Sequence, residues 1–449
     1  MRNLLWGVAT SAYQIEGAAR LDGKGPSIWD QFCQEPGRIL KGDSAEIACD
    51  HYHRYQQDVA LMKELGINAY RFSLSWPRIF PAGRGAVNPA GIRFYHRLLD
   101  TLLASEIEPV LVLHHWDLPL ALQKELGGWL SPEMPGIFES YAHTCFKEYG
   151  DKVKLWLTLN EPWVIAIHGY GIGMDAPGRQ SLSEPYLVGH NLLLAHARAV
   201  RLYRERFQHR QGGKIGITLN CDWREPASDD PRDHTAAQRA VQFMLGWFAD
   251  PIYLGSYPQE MQSRLGKRLP DFSREQMSLV AESSDYFGLN HYSTMLARDS
   301  ADCPVQSVRD DPGVSLSLKS EWETTSMGWS VVPEGFSRLL HWIARRYPGQ
   351  DIYVTENGCA APFSDEQSAL DDDFRLRFLQ SYIAAALKCR ASGVPLQGYF
   401  VWSLLDNFEW ASGFSQRFGL IYVDYQSLRR TPKRSFNWYK NFLANLRES

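Results

Sequence analysis

The chain has little excess charge of either sign: 47 Lys and Arg stand against 51 Asp and Glu, leaving −4 over 449 residues. Such a balance gives neither nucleic acid nor an anionic membrane surface anything to pull on. No apolar run reaches the ~18 residues that a membrane-spanning helix needs. The seven cysteines are dispersed and form no CxxC pair. That usage argues against a disulfide framework and for reduced thiols in a cytoplasmic protein. Low-complexity tracts and Ser- or Pro-rich linkers are missing, and so is the GxSxG turn of a serine nucleophile. The opening "MRNLLWGVATSAYQIEG" has the outline of a signal peptide, but Gly7, Thr10 and Ser11 dilute its apolar stretch, so no cleavage is expected.

What the chain does have is rings and repetition. Aromatic residues make up 13% and include 15 Trp, enough for a large core with some left to stack on sugar rings. Eight short apolar runs recur: 4–10, 69–75, 108–115, 154–161, 214–220, 285–292, 351–358 and 396–406. Their near-continuous hydrophobicity suits strands buried on both faces. Amphipathic segments lie between them, such as "HRYQQDVALMKELG" (53–66) and "FRLRFLQSYIAAALKCRASG" (374–393), the second ending on the stop signal Gly393. Eight strands alternating with helices predict an α/β fold, a (β/α)8 TIM barrel, as a single domain over 1–449.

Most runs finish on a polar residue: Arg71, His115, Asn160 and Glu161, Asn220, Asn290 and Tyr292, Glu356 and Asn357, and Trp402 with Asp406. In a barrel the strand C-terminal ends meet on one face, where the βα loops build the active site. Glu161 in "LTLNEPW" and Glu356 in "YVTENG" are 195 positions apart, and only a closed fold brings them face to face. A pair of carboxylates there can hydrolyse a glycosidic bond, one as proton donor and the other as nucleophile or base. The competing assignment is two unrelated acids that cap helices or pair with surface arginines. Apolar Pro162 and Trp163 beside Glu161 would hold it protonated, whereas Glu356 needs a cation or donor, for which Arg71 and Tyr292 are the candidates.

"TLNEPW" (158–163) and "YVTENG" (353–358) resemble the acid/base and nucleophile signatures of glycoside hydrolase family 1, a family of retaining β-glycosidases on a (β/α)8 barrel. "LWGVATSAYQIEGA" (5–18), "SIWDQF" (27–32), "YRFSLSWPRIFP" (70–81), "HHWDLP" (114–119), "GGWL" (127–130), "GHNLLLAHA" (189–197), "VWSLLDNFEWASGFSQRFGLIYVDY" (401–425) and "RTPKRS" (430–435) are similar to it as well, from about residue 4 to 440. The resemblance implies that Glu356 is the nucleophile and Glu161 the acid/base. It also implies that Gln14, His115, Asn160, Glu409 and Trp410 bind the non-reducing sugar over Trp402 as the floor. Arg71, Tyr292 and Asn290 would support the nucleophile, and Trp329 would line the leaving-group side.

The expected activity is exo-β-glucosidase, with β-galactosidase or β-fucosidase side activity because Glu409 can accept from either orientation of the 4-hydroxyl. Expected substrates are β-glucosides, cello-oligosaccharides or aryl glycosides; no cofactor or metal and no nucleic-acid or membrane partner is expected. Glu161, where thioglucosidases have Gln, points to O-glycosides, and Glu409 with Trp410 argues against 6-phosphosugars. A 6-phospho-β-glycosidase and a non-catalytic glycan-binding barrel are the alternatives. His114, Leu120 and Asp175 depart from the family pattern near the leaving-group side. "CDHYHRY" (49–55) mimics a metal site, but positions two apart do not share a helix face. "GYGIGMD" (169–175) lacks the spacing of a phosphate loop and is expected to be a flexible loop. His190 and His196 are expected to be packed or capping, and Cys359 a bystander.

Overall fold

The computed structural model describes residues 4–448. Eight parallel strands close into a barrel: β1 Leu5–Ala9, β2 Ala69–Ser73, β3 Glu108–His114, β4 Leu155–Asn160, β5 Lys214–Asn220, β6 Phe287–Asn290, β7 Ile352–Asn357 and β8 Leu396–Trp402. Each lies within one of the eight apolar runs. Neighbours in sequence are neighbours in space, and β1 closes on β8 through Leu5↔Gly398 to Ala9↔Trp402. The last run overshoots its strand, because β8 stops at Trp402 while 403–406 turn outward.

Two layers of core account for the hydrophobicity of the runs. Inside the barrel Ala9, Ala69, Val110, Val112, Leu157, Tyr353 and Phe400 fill the lumen. The intervening residues, among them Val8, Tyr70, Leu111, Trp156, Val354 and Val401, face the surrounding helices. Strands with both faces covered leave little room for polar side chains away from their ends, and β2 holds Arg71 at its middle only because Glu356 and Asn160 accept from it. The helices begin and end where local chemistry says they should. Ser27 and Asp30 form a reciprocal capping box, and His51–Leu65 ends on Gly66 at φ +81°, a left-handed position that glycine adopts without strain.

Excursions leave the barrel after β5 and β6. Trp223–Pro226, Thr294–Asp299 and Val314–Ser317 form a separate three-stranded sheet, packed against helix Pro231–Val241 through Ala236, Ala237, Ala240, Ala297 and Val314. The apolar-run pattern did not predict this sheet: its strands are four to six residues long, and all three carry polar side chains.

Candidate active site

A cavity of about 770 Å³ opens at the strand C-terminal ends and reaches out under the three-stranded sheet. A second, of about 540 Å³, sits at the opposite end of the barrel among Leu5, Glu108, Leu155 and Tyr353. That end of the fold characteristically serves stability.

Two irregularities aim the key side chains into the first cavity. Strict alternation from the inward-facing Leu157 and Tyr353 would turn Asn160 and Glu356 outward. Instead β4 carries one extra residue against β5 (Leu157↔Gly216, then Asn160↔Thr218), and β7 carries one against β6 (Val354↔Leu289, then Glu356↔Asn290). Each is a β-bulge, which re-aims the following side chain; Asn160 and Glu356 both line the cavity. Glu161 then adopts φ +49°, ψ +65°, a left-handed backbone costly for a residue with a Cβ and characteristic of strained functional positions. Gly358 completes the "TENG" turn because the chain passes close to β8: a Cβ there would lie 1.7 Å from the Trp402 carbonyl oxygen.

The polar groups at the floor form one network. Arg71 donates through Nη1 to Glu356 Oε1 at 2.6 Å and through Nη2 to Asn160 Oδ1 at 2.5 Å. The Tyr292 hydroxyl donates to Glu356 Oε2 at 2.6 Å. Asn290 Nδ2 donates to Glu161 Oε1 at 2.6 Å and lies 3.2 Å from Asn160 Oδ1. Asn290 itself is braced by Thr355, whose hydroxyl donates to Asn290 Oδ1 at 2.8 Å. Asn160 Nδ2 approaches His115 Nε2 at 3.1 Å, and the other nitrogen of His115 is buried without a partner. His115 stacks between Trp402 and Trp410, at 5.9 and 5.8 Å between ring centres.

These contacts give the two acids different environments. Burial, then the charge of Glu356, push Glu161 well above the usual carboxylate range. Burial also raises Glu356, but Arg71 and the Tyr292 hydroxyl oppose it. The last proton to leave the pair therefore belongs on Glu161, with the anion on Glu356. Glu409 is pushed up to about 8 by burial, Glu356 and Asp175. The carboxyl expected to repel a phosphate is thus a weaker acid in the free site than its place in the sequence suggests, which weakens that argument.

Of the twelve residues singled out from sequence, Glu161, Glu356, Tyr292, Asn290, His115, Asn160, Trp402, Glu409, Trp410 and Trp329 line the cavity. Arg71 lies directly beneath it on Glu356. Gln14 is farther back: its amide donates to Asn407 Oδ1 and the Phe408 carbonyl, at 3.0 and 2.9 Å, with Glu409 Oε2 at 3.4 Å. Two run-end residues turn away from the cavity. Asn357 bridges the Tyr399 hydroxyl and the His291 carbonyl. Asp406 is fully buried and accepts from Lys433 Nζ and Arg417 Nη1, each at 2.7 Å. Cys49, His51 and His53 go to three different partners (Asp406, Asp58 and Asp50) and do not converge. His196 meets the Thr158 hydroxyl and His190 stacks on Phe272. Cys359 is buried away from the cavity lining. The glycine-rich 169–175 stretch is not simply a loop, since Ile165–Gly171 forms a wide helical turn and Asp175 holds His168 Nδ1 at 3.0 Å.

Sequence reasoning missed Trp116 and most of the outer wall. Trp116, at φ +73°, donates through Nε1 to the Asn160 carbonyl at 2.9 Å and packs on Trp410. It stands inside "HHWDLP", where its neighbour His115 drew the attention. Met174, Met244, Met295, Met327, Leu316 and Leu318 line the outer cavity and carried no signal, because single apolar residues read as core.

A parallel barrel holding two buried carboxylates of unequal basicity beside a Trp-lined floor belongs to the class of carboxylate-pair glycoside hydrolases. The profile of glycosyl hydrolase family 1 matches residues 1–447, and the chain belongs to that family. It is 45% identical to "Beta-glucosidase 25" of Oryza sativa subsp. japonica, over 98% of this chain and 93% of that protein. With "Beta-glucosidase A" of Thermotoga maritima it shares 44% identity, over 98% and 97%. Among solved structures the β-glucosidase of Trichoderma harzianum superposes with a TM-score of 0.96 at 45% identity, covering 99% of this chain and 97% of that one.

Proposed function

We propose that the protein is a retaining exo-β-glycosidase, chiefly a β-glucosidase, acting on unphosphorylated non-reducing β-D-glucosyl residues with β-galactosidase or β-fucosidase side activity. The observation that carries this reading is the asymmetric support of the two acids: Glu356 takes donors from Arg71 and Tyr292, while the Glu161 carboxyl meets, among the described residues, only the amide of Asn290. In the first step a Glu356 oxygen bonds to the anomeric carbon as the bond to the leaving oxygen breaks, and Glu161 gives that oxygen its proton. In the second, water attacks the glycosyl ester, Glu161 takes the water proton, and Glu356 departs as carboxylate. Asn160, His115 and Glu409 would hold the hydroxyls over the Trp402 face. A 6-phosphosugar is disfavoured because no Lys lines the cavity and its two Arg, Arg224 and Arg309, belong to the outer sheet and the segment after Asp299. Cello-oligosaccharides and aryl glucosides are both proposed substrates, and the unpaired cysteines favour the cytoplasm as the place of action.

The test is hydrolysis of an aryl β-glucoside by wild type, its loss in Glu356→Ala, and its partial return with azide as the α-glucosyl azide. A wild type inert on every unphosphorylated β-glycoside would defeat the reading, and so would an azide product of β configuration.

A further inference from the structure

The outer wall of the cavity contains a buried cation that is only weakly held. Arg224, in the strand Trp223–Pro226, is 6% exposed and lines the cavity. A guanidinium has five N–H donors, and one buried in apolar surroundings normally finds bidentate partners. The contacts of Arg224 among the described residues are weak: 3.4 Å to the carbonyl of Trp223 and 3.6 Å to the Asp222 carboxylate are long, and the Met244 sulfur at 3.5 Å is a poor acceptor. Four residues earlier Asn220, the last residue of β5, also lines the cavity, and its Oδ1 is buried without a hydrogen-bond partner. One short segment thus brings an underused donor and an unmet acceptor to the same wall.

Their surroundings indicate what they would meet. Parallel pairing sets Arg224 beside Met295, and Phe243 and Met244 complete an apolar lining around it. At the mouth Met174, Leu316 and Leu318 are 52%, 40% and 42% exposed, an apolar rim that water alone would not favour. Asp222 also bears electrostatically on Glu161, so this wall adjoins the acid/base from which a leaving group departs. An apolar body with one polar edge is the complement of that lining. The charge of the edge follows from the neighbours. Asp222 already counters Arg224, and Asn220 presents an oxygen, so a carboxylate would face two electronegative groups and gain one cation. A neutral group that both accepts and donates satisfies Arg224 and Asn220 together.

Resting on the β-glucosidase reading above, we propose that Arg224, on the same cavity wall as Asn220, is the specificity-determining residue for the leaving group, selecting β-glucosides of aromatic alcohols that carry a neutral hydroxyl-type substituent. Arg224 donates to the oxygen of that substituent while its hydrogen goes to Asn220 Oδ1, and the ring lies in the apolar lining.

The experiment compares matched phenyl β-D-glucosides bearing hydroxymethyl, ethyl or carboxymethyl groups at the meta and para positions, whose phenols differ little in leaving ability. Wild type is expected to prefer the better hydroxymethyl isomer over its ethyl counterpart about fivefold or more in kcat/KM, chiefly through KM, and over the carboxymethyl compound by more. In Arg224→Met the hydroxymethyl preference falls to about one, while turnover of the ethyl compound stays within about twofold. Asp222→Asn, which removes the opposing charge, raises the carboxymethyl compound relative to the other two. The wild-type ratio decides the point even if Arg224→Met does not fold. A ratio of one or below, a preference for the carboxymethyl compound, or a preference that survives in Arg224→Met overturns the proposal. If no aryl glucoside in the set is hydrolysed while cello-oligosaccharides are, this proposal fails and the β-glucosidase reading stands; if every unphosphorylated β-glycoside is inert, that reading fails, which is a different result from hydrolysis without discrimination.

Discussion

At the floor of the cavity Arg71 reaches Glu356 and Asn160 within 2.6 Å, while on the outer wall Arg224 makes no hydrogen bond shorter than 3.4 Å among the described residues. Both guanidiniums are buried, and both border the same space. The floor is built mostly from barrel strands, and its reacting groups are already held: Glu161, Asn290, Asn160, Arg71, Glu356 and Tyr292 are joined by short hydrogen bonds without a ligand, while Arg71 Nε and His115 Nδ1 stay unpartnered among the described residues. The wall is built from the excursions after β5 and β6 and leaves polar groups waiting among methionines and leucines. Preorganised groups suit a reaction whose charge development is the same for every substrate. Loosely held groups in an apolar setting suit the part of the substrate that varies. The difference teaches that chemistry and selectivity are carried by separate parts of this fold.

Substitutions can break that comparison. The largest effect belongs at the floor: Glu356→Ala is expected to lower kcat by roughly 10⁴-fold or more, the scale on which lost nucleophiles are measured. Initial rates on 4-nitrophenyl β-glucoside would show it, and a loss of under tenfold would remove Glu356 from the nucleophile's role. Glu161→Gln is next, costing about 10²–10⁴-fold on a glucoside with a poorly stabilised leaving group. The loss should shrink for 2,4-dinitrophenyl glucoside, which departs without help, and an equal loss on both would contradict the acid's role.

A third test concerns pH. Turnover needs Glu356 ionised and Glu161 protonated, so activity rises as pH passes the lower of the two values and falls as it passes the higher. Burial raises Glu356 and Arg71 opposes that rise, so Arg71→Met should move the acid limb upward, by about one to three pH units. A pH profile of kcat/KM with an unmoved acid limb would deny Arg71 that task. The smallest effect belongs to the wall. Leu316→Ser should cost about three- to tenfold in kcat/KM on octyl β-glucoside, the scale of a partly buried apolar side chain. Because the barrel floor is untouched, kcat for 4-nitrophenyl β-glucoside and inhibition by free glucose should stay within twofold. If both substrates lose equally, the separation of floor and wall is wrong.

Much of the barrel was legible in the chain because strands buried on both faces leave an unambiguous mark. Each of the eight apolar runs contains one stave, and eight of the residues named at their ends line the cavity, with Trp329, Glu409 and Trp410 added through the family resemblance. Run-end polarity did not separate chemistry from architecture. Asp406 and Glu356 look alike as acids closing a hydrophobic run, yet one is held between Lys433 and Arg417 behind the cavity and the other faces it. Glu409 read as an anion in the chain, and only its burial beside Glu356 shows the raised value. The outer sheet was illegible for another reason. Short strands with exposed side chains lack the period and the continuity from which a strand is recognised.

By itself the sequence determined the number and order of the staves, the two acids, and the rings around them. These are local properties, written as hydrophobic runs and the residues that end them. The tertiary structure alone decided which way those residues point. One extra residue in β4 and one in β7 reverse the alternation that would have put Asn160 and Glu356 outside, and whether a residue is extra depends on the register of its neighbour. It alone decided, too, that Arg71 would be spent on the nucleophile and Arg224 kept in reserve. A guanidinium carries the same five donors wherever it stands, and only the fold determines how many of them find an acceptor.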